Sequence, residues 1–80
     1  MGKYDPLQSW LSQHGGARTT LSFDEIERLI GASLPDTACN LREWWGNNAD
    51  GHPQARAWLD AGYRVDHVDA LGRTVRFVRG

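Results

Sequence analysis

Apolar residues recur at helical spacing near the start of the chain and at alternate positions near its end. Leu7, Trp10, Leu11 and His14 fall at i, i+3, i+4 and i+7, which predicts a helix over 5–14 with one apolar stripe. Asp5 is placed to cap it, Pro6 suits its first turn, and Gly15-Gly16 ends it. His14, on the stripe, is expected to be packed and hydrogen-bonded. Residues 17–21 read as a short extended segment. Ser22 then opens the clearest helix, because Ser22 and Glu25 form an S-x-x-E capping box. Phe23, Ile26, Leu29 and Ile30 share its inner face, Asp24, Glu27 and Arg28 face away, and Gly31 stops it.

Leu34 is expected to plug the core from a tight connection ending at Pro35. A third helix is predicted from Asp36 or Thr37 to about Trp45, with Ala38, Leu41 and Trp45 on one face. The alternative is a break before Trp44-Trp45, leaving the pair extended. Two adjacent tryptophans cannot point the same way from a helix or a strand. Trp45 is the expected core anchor and Trp44 the partly exposed neighbour. Gly46 to Gly51 is the most loop-like run and is expected to be the most mobile internal segment. His52-Pro53 is read as the start of a helix reaching about Ala61, with Gly62 following. Gln54 falls in the middle of that helix's apolar face, so it must find partners or face a cleft. Arg56 and Asp60 point to solvent.

Tyr63–Asp69 and Arg73–Arg79 alternate as strands, joined by a three-residue loop with Gly72 at positive φ. The resulting register sets Asp69 opposite Arg73, His67 opposite Val75, Val65 opposite Phe77 and Tyr63 opposite Arg79. Tyr63, Val65, His67, Val75 and Phe77 then form the apolar face. Arg64 with Val78, Asp66 with Arg76 and Val68 with Thr74 form the other. The fold expectation is a single α+β domain over 1–80. It is a small winged helix-turn-helix-like unit, with three to four short helices followed by a C-terminal β-hairpin.

Composition narrows the chemistry. The single cysteine, Cys39, cannot form an internal disulfide, so a reducing, cytoplasmic setting is expected. No apolar run approaches a membrane span and no secretory segment follows Met1, so no membrane partner is expected. One cysteine and three scattered histidines give no metal-ligand spacing. No phosphate-cradling loop and no nucleophile elbow stand in the chain. No cofactor and no enzymatic activity are expected.

Net charge is −1, yet its distribution is uneven. Residues 1–40 carry three basic residues against five acids, and residues 41–80 carry six arginines against five acids. Arginine suits bidentate contact with phosphate and with base edges. Arg42, Trp44, Asn47, Asn48, His52, Gln54 and Arg56 lie within fifteen residues. Asn and Gln can read adenine, Arg guanine, and an exposed Trp can stack on a base. These residues, with Arg73 and Arg76 of the hairpin on phosphate, predict a nucleic-acid site, with DNA the expected partner. Trp44 forms one wall of that site, and His52, Gln54 and Arg56 form the other. The competing reading has the tryptophans complete a small core and the asparagines shape a turn. Two other functions fit the same residues: a protein-interaction or antitoxin-like module using Trp44, and an aromatic pocket bounded by Trp44, Asn47 and His52.

The run Leu21-Ser22-Phe23-Asp24-Glu25-Ile26-Glu27, with Gly31, Leu34-Pro35, Ala38, Trp44-Trp45, Asn47, Trp58 and Ala61-Gly62, forms a distinctive pattern. Together with Tyr4, Pro6-Leu7 and Val75-Arg76-Phe77, it resembles a small bacterial family known chiefly as a domain of unknown function. The resemblance covers nearly the whole chain and implies no catalytic residue.

Overall fold

The computed structural model describes residues 2–40, 42–48, 50 and 54–80. Leu41, Ala49, Gly51, His52 and Pro53 lie outside the described residues. So do the expectations that Leu41 lines a helix face and that His52-Pro53 opens the fourth helix. Among the described residues the chain forms four α-helices and a three-stranded antiparallel sheet.

The first helix, α1 (Asp5–His14), buries Leu7 and Leu11. Tyr4, not Asp5, stands at its cap, while the Asp5 carboxylate accepts the Gly2 N–H at 2.8 Å. His14 is exposed, its ring centroid 5.7 Å from that of Trp10, so the packed histidine expected there is not found. Strand β1 (Arg18–Ser22) runs directly into α2 (Phe23–Ile30). Both halves of the predicted capping box form, with Ser22 Oγ accepting the Glu25 N–H and Glu25 Oε1 accepting the Ser22 N–H, each at 3.0 Å. Gly31 ends α2 at φ 69°, a left-handed conformation that glycine adopts without steric cost. Leu34 is buried as expected, and its N–H donates to Glu27 Oε2 at 2.7 Å.

The predicted third helix is shorter. It divides into α3 (Asp36–Asn40) and a 3₁₀ turn (Arg42–Trp45). Trp45 is 2% exposed, and its indole N–H donates to the Ala38 carbonyl at 2.8 Å. That bond ties the turn back onto α3. Helix α4 (Ala55–Asp60) buries Ala55, Ala57 and Trp58.

Strands β2 (Tyr63–Asp69) and β3 (Thr74–Arg79) form the expected hairpin, but the sheet is not a hairpin alone. Strand β1 pairs with β3, giving the order β1-β3-β2. The predicted register holds at Tyr63–Arg79, Arg64–Val78 and Val65–Phe77 and then slips. A bulge at Asp66 sets His67 opposite Arg76, Val68 opposite Val75 and Asp69 opposite Thr74. An extra residue in one strand reverses the alternation beyond it. His67 therefore faces solvent, and Val68 packs against the core in its place. The shift also lengthens the loop to Ala70–Arg73, so positive φ falls on Arg73 (56°) and not on Gly72. The Arg73 carbonyl accepts the Phe23 N–H at 2.8 Å, which ties this loop to the β1–α2 junction.

One face of the sheet packs on the helices around Leu7, Leu11, Phe23, Ile26, Trp45, Trp58, Tyr63 and Phe77. At Gly15 the helical layer comes close to the sheet. A Cβ there would sit 2.5 Å from the oxygen of the Tyr63 hydroxyl, whose O–H donates to the Gly16 carbonyl. The other face of the sheet is open.

Candidate nucleic-acid interface

Most polar members of the predicted site are held by the fold. Gln54 is 5% exposed, and its Nε2 donates to the Trp44 carbonyl at 2.7 Å. The two predicted walls are thus bonded to each other. A buried amide at this point needs such a partner, since an unmade bond would cost about 1–3 kcal/mol. Asn47 acts as a clasp on β2. Its Nδ2 donates to the Val65 carbonyl at 3.0 Å, while its Oδ1 accepts the Val65 N–H at 2.8 Å and the Trp58 indole N–H at 3.0 Å. The side chain thereby mimics a neighbouring strand on the outer edge of β2. Asn48 shapes the following turn, its Oδ1 accepting the Asp50 N–H at 3.0 Å.

Trp44 is half-buried. It meets Tyr4 edge-on at 6.0 Å and Trp45 at 4.7 Å. Burial raises the Tyr4 phenol above its ordinary pKa. Arg42 and Arg56 are both exposed but stand apart. Arg42 borders a shallow groove of about 370 Å³ between the 3₁₀ turn and β2, beside Glu43, Asp66 and His67. Arg56 borders a separate cleft of about 490 Å³ between the start of α1 and α4, with Lys3, Gln8 and Asp60. His52 lies outside the described residues.

The hairpin arginines are engaged within the molecule. Arg73 approaches Asp24 at 3.4 Å and lies over the Phe23 ring at 5.5 Å, and its pKa is raised above the ordinary value, chiefly by the hydrogen bond to Asp24. Arg76 is clamped by both Nε and Nη2 onto one oxygen of Asp66, its Nε at 2.8 Å. These are the ion pairs among the described residues.

The open sheet face assembles a different set. Paired residues of neighbouring strands share a face, so the register defines rows across it. One row is Arg18–Val78–Arg64 and the next is Thr20–Arg76–His67. Val78 is half-buried and the other five side chains are exposed, and among the described residues neither Arg18 nor Arg64 is in an ion pair. Arg18, Arg64 and Arg76 thus share this face, while Arg42 borders the groove along the β2 edge. Among the described residues no cluster of His, Cys, Asp and Glu could hold a metal ion. No helix among them is long and apolar enough to cross a membrane.

The profile of a family described as Domain of unknown function (DUF7662) matches residues 4–80. The chain belongs to that family. No curated protein and no solved structure matches it. The outward rows of this DUF7662 chain bring in Arg18, Arg64 and His67, which lie outside the cluster that the sequence pattern marks. Arg64 was already paired with Val78 on the outward face of the hairpin. Arg18 joins that row only because β1 pairs with β3, a contact between segments about 60 residues apart.

Proposed function

We propose that the protein is a non-enzymatic nucleic-acid-binding module, with DNA as its partner. The observation that carries this reading is the row Arg18–Val78–Arg64 beside Arg76 on the open sheet face. Two exposed guanidiniums that form no ion pair among the described residues offer hydrogen-bond forks for phosphate. Arg42 extends the charge past the β2 edge. The element order supports the finer winged-helix-like reading: helix, strand, two helices and a hairpin, interrupted by α4. Asn47 and Gln54 serve this module by holding the loop and β2 in place, and Arg18 and Arg64 make the phosphate contacts, while Asp66 holds Arg76.

The test is a titration of labelled duplex at two salt concentrations. The expected result is weak binding at low salt that fades as salt rises, because phosphate contacts release counterions. Absence of binding at low salt overturns the reading.

A protein-interaction or antitoxin-like role is favoured by one observation. Leu71, at the hairpin tip, is 99% exposed, and Trp44 keeps part of its surface open. A concentration-dependent dimer or a stoichiometric protein complex, lost in Leu71→Ser and without nucleic-acid affinity, would favour it over DNA binding.

A further inference from the structure

We infer that the open sheet face takes the backbone of double-helical DNA, and that it does not serve as a platform for single strands; this rests on the nucleic-acid reading above. The first ground is what the face lacks. The chain has eight aromatic residues. Phe23, Trp45, Trp58, Tyr63 and Phe77 are buried, Tyr4 and Trp10 are half-buried at α1, and Trp44 is half-buried in the 3₁₀ turn. None stands in the outward rows of the sheet. Proteins that hold single strands stack successive bases on aromatic rings, each stack worth about 1–3 kcal/mol. The one ring in these rows is the His67 imidazole, a single platform where a strand of successive bases needs several.

The second ground is what the face presents. Arg18 and Arg64 stand on the two outer strands, about 10 Å apart at Cα, with β3 between them. Arg76 lies one row further, about 7 Å along β3. The sheet sets the spacing of these positions, with Thr20 beside them. A duplex offers a fixed array of anions, one charge per about 1.7 Å of axis. A single strand must be ordered to match the same array, and one imidazole compensates little of that ordering cost by stacking.

The charge count sets the strength. Asp66 neutralises Arg76, and Asp69 is turned onto the Gly72 N–H at 2.9 Å. Arg18 and Arg64 remain as two free phosphate contacts. Two contacts give a slope of about −2 for log K against log salt, or about a tenfold loss between roughly 50 and 200 mM.

The experiment measures the full chain against a labelled DNA duplex, with unlabelled single-stranded DNA and single-stranded RNA of equal length as competitors. The same titration is run on Arg18→Ala/Arg64→Ala, with circular dichroism to confirm its fold, and on Arg18→Lys/Arg64→Lys. The expected result is preference for duplex DNA and a slope near −2. The alanine pair loses at least tenfold in affinity and its slope flattens, and the lysine pair recovers most of the binding. Equal or better competition by single strands overturns the inference and leaves nucleic-acid binding standing. A folded alanine pair that binds like the parent also overturns it, by removing the face from the site. Failure of every nucleic acid to bind overturns both readings.

Discussion

Asn47 shows how much of this fold hangs on one exposed polar side chain. Its amide supplies to Val65 what a fourth strand would supply, and its oxygen also receives the Trp58 indole N–H. Trp58 is fully buried, so water cannot easily replace that oxygen. Asn47→Ala leaves a buried donor without a partner and frees the outer edge of β2. We expect a loss of about 2–3 kcal/mol, most of it from the orphaned indole. Asn47→Asp keeps the acceptor, loses the donation to Val65 and sets a negative oxygen near its carbonyl, so its loss should be smaller. Urea midpoints at constant m-value measure both. An alanine variant as stable as the parent would mean that Trp58 and Val65 find other partners. The type of residue, an asparagine after a glycine, was visible in the sequence as a turn former or a ligand. Its true partners lie 11 and 18 residues away, and no local pattern names them. Gln54 was legible to the same degree: a polar group on an apolar face needs a partner, but the Trp44 carbonyl becomes that partner only once the 3₁₀ turn is in place.

At the scale of elements, the sheet shows where sequence pattern carries and where it stops. Local chemistry sets the β1–α2 junction, since the Ser22–Glu25 box and the Gly31 stop depend on residues within one or two turns. The hairpin register is legible as far as Val65–Phe77, where alternation alone decides it. Beyond that point two alternations compete, one burying His67 and one burying Val68. The bulge at Asp66 resolves them in favour of valine, since burying an apolar side chain is favourable and burying an imidazole needs a partner. The pairing of β1 with β3 was not legible because it joins distant segments. It is also what completes the basic face. The bulge affects that face too, because it brings Asp66 and His67 together opposite Arg76. Asp66→Asn should release the guanidinium and remove the only carboxylate in ion contact with it among the described residues. An exposed pair of this kind contributes about 0–1 kcal/mol, so the fold should survive. We expect duplex binding several-fold tighter and a salt slope moving from about −2 towards −3, as a third phosphate contact becomes available. Salt-dependent titrations of the variant and the parent check this; weaker binding by the variant would mean that Asp66 holds Arg76 ready for its partner.

For the molecule as a whole, the aromatic column decides whether the two layers fold together. Phe23 stacks on Trp45 at 5.4 Å, Trp45 on Trp58 at 5.8 Å, and Trp58 meets Phe77 at 5.6 Å. The column runs from α2 through the 3₁₀ turn and α4 to β3, so no layer keeps its core without the others. An 80-residue domain has roughly 4–12 kcal/mol of total stability. Trp45→Ala removes the centre of the column and the bond to the Ala38 carbonyl, at a cost of about 3–5 kcal/mol. That loss rivals the whole, so the variant should be largely unfolded at room temperature, with its near-ultraviolet dichroism gone. Trp44 stands at the side of the column, half-buried against Tyr4, and Trp44→Ala should cost about half as much and melt cooperatively. Thermal melts followed by far- and near-ultraviolet dichroism compare the two. If Trp44→Ala proves the more damaging, the column is not what couples helices to sheet. If the order holds, the folded Trp44→Ala protein also separates the functional readings. Binding by the open sheet face should survive in it, since Trp44 lies in the helical layer, whereas a protein contact made through Trp44 should be lost.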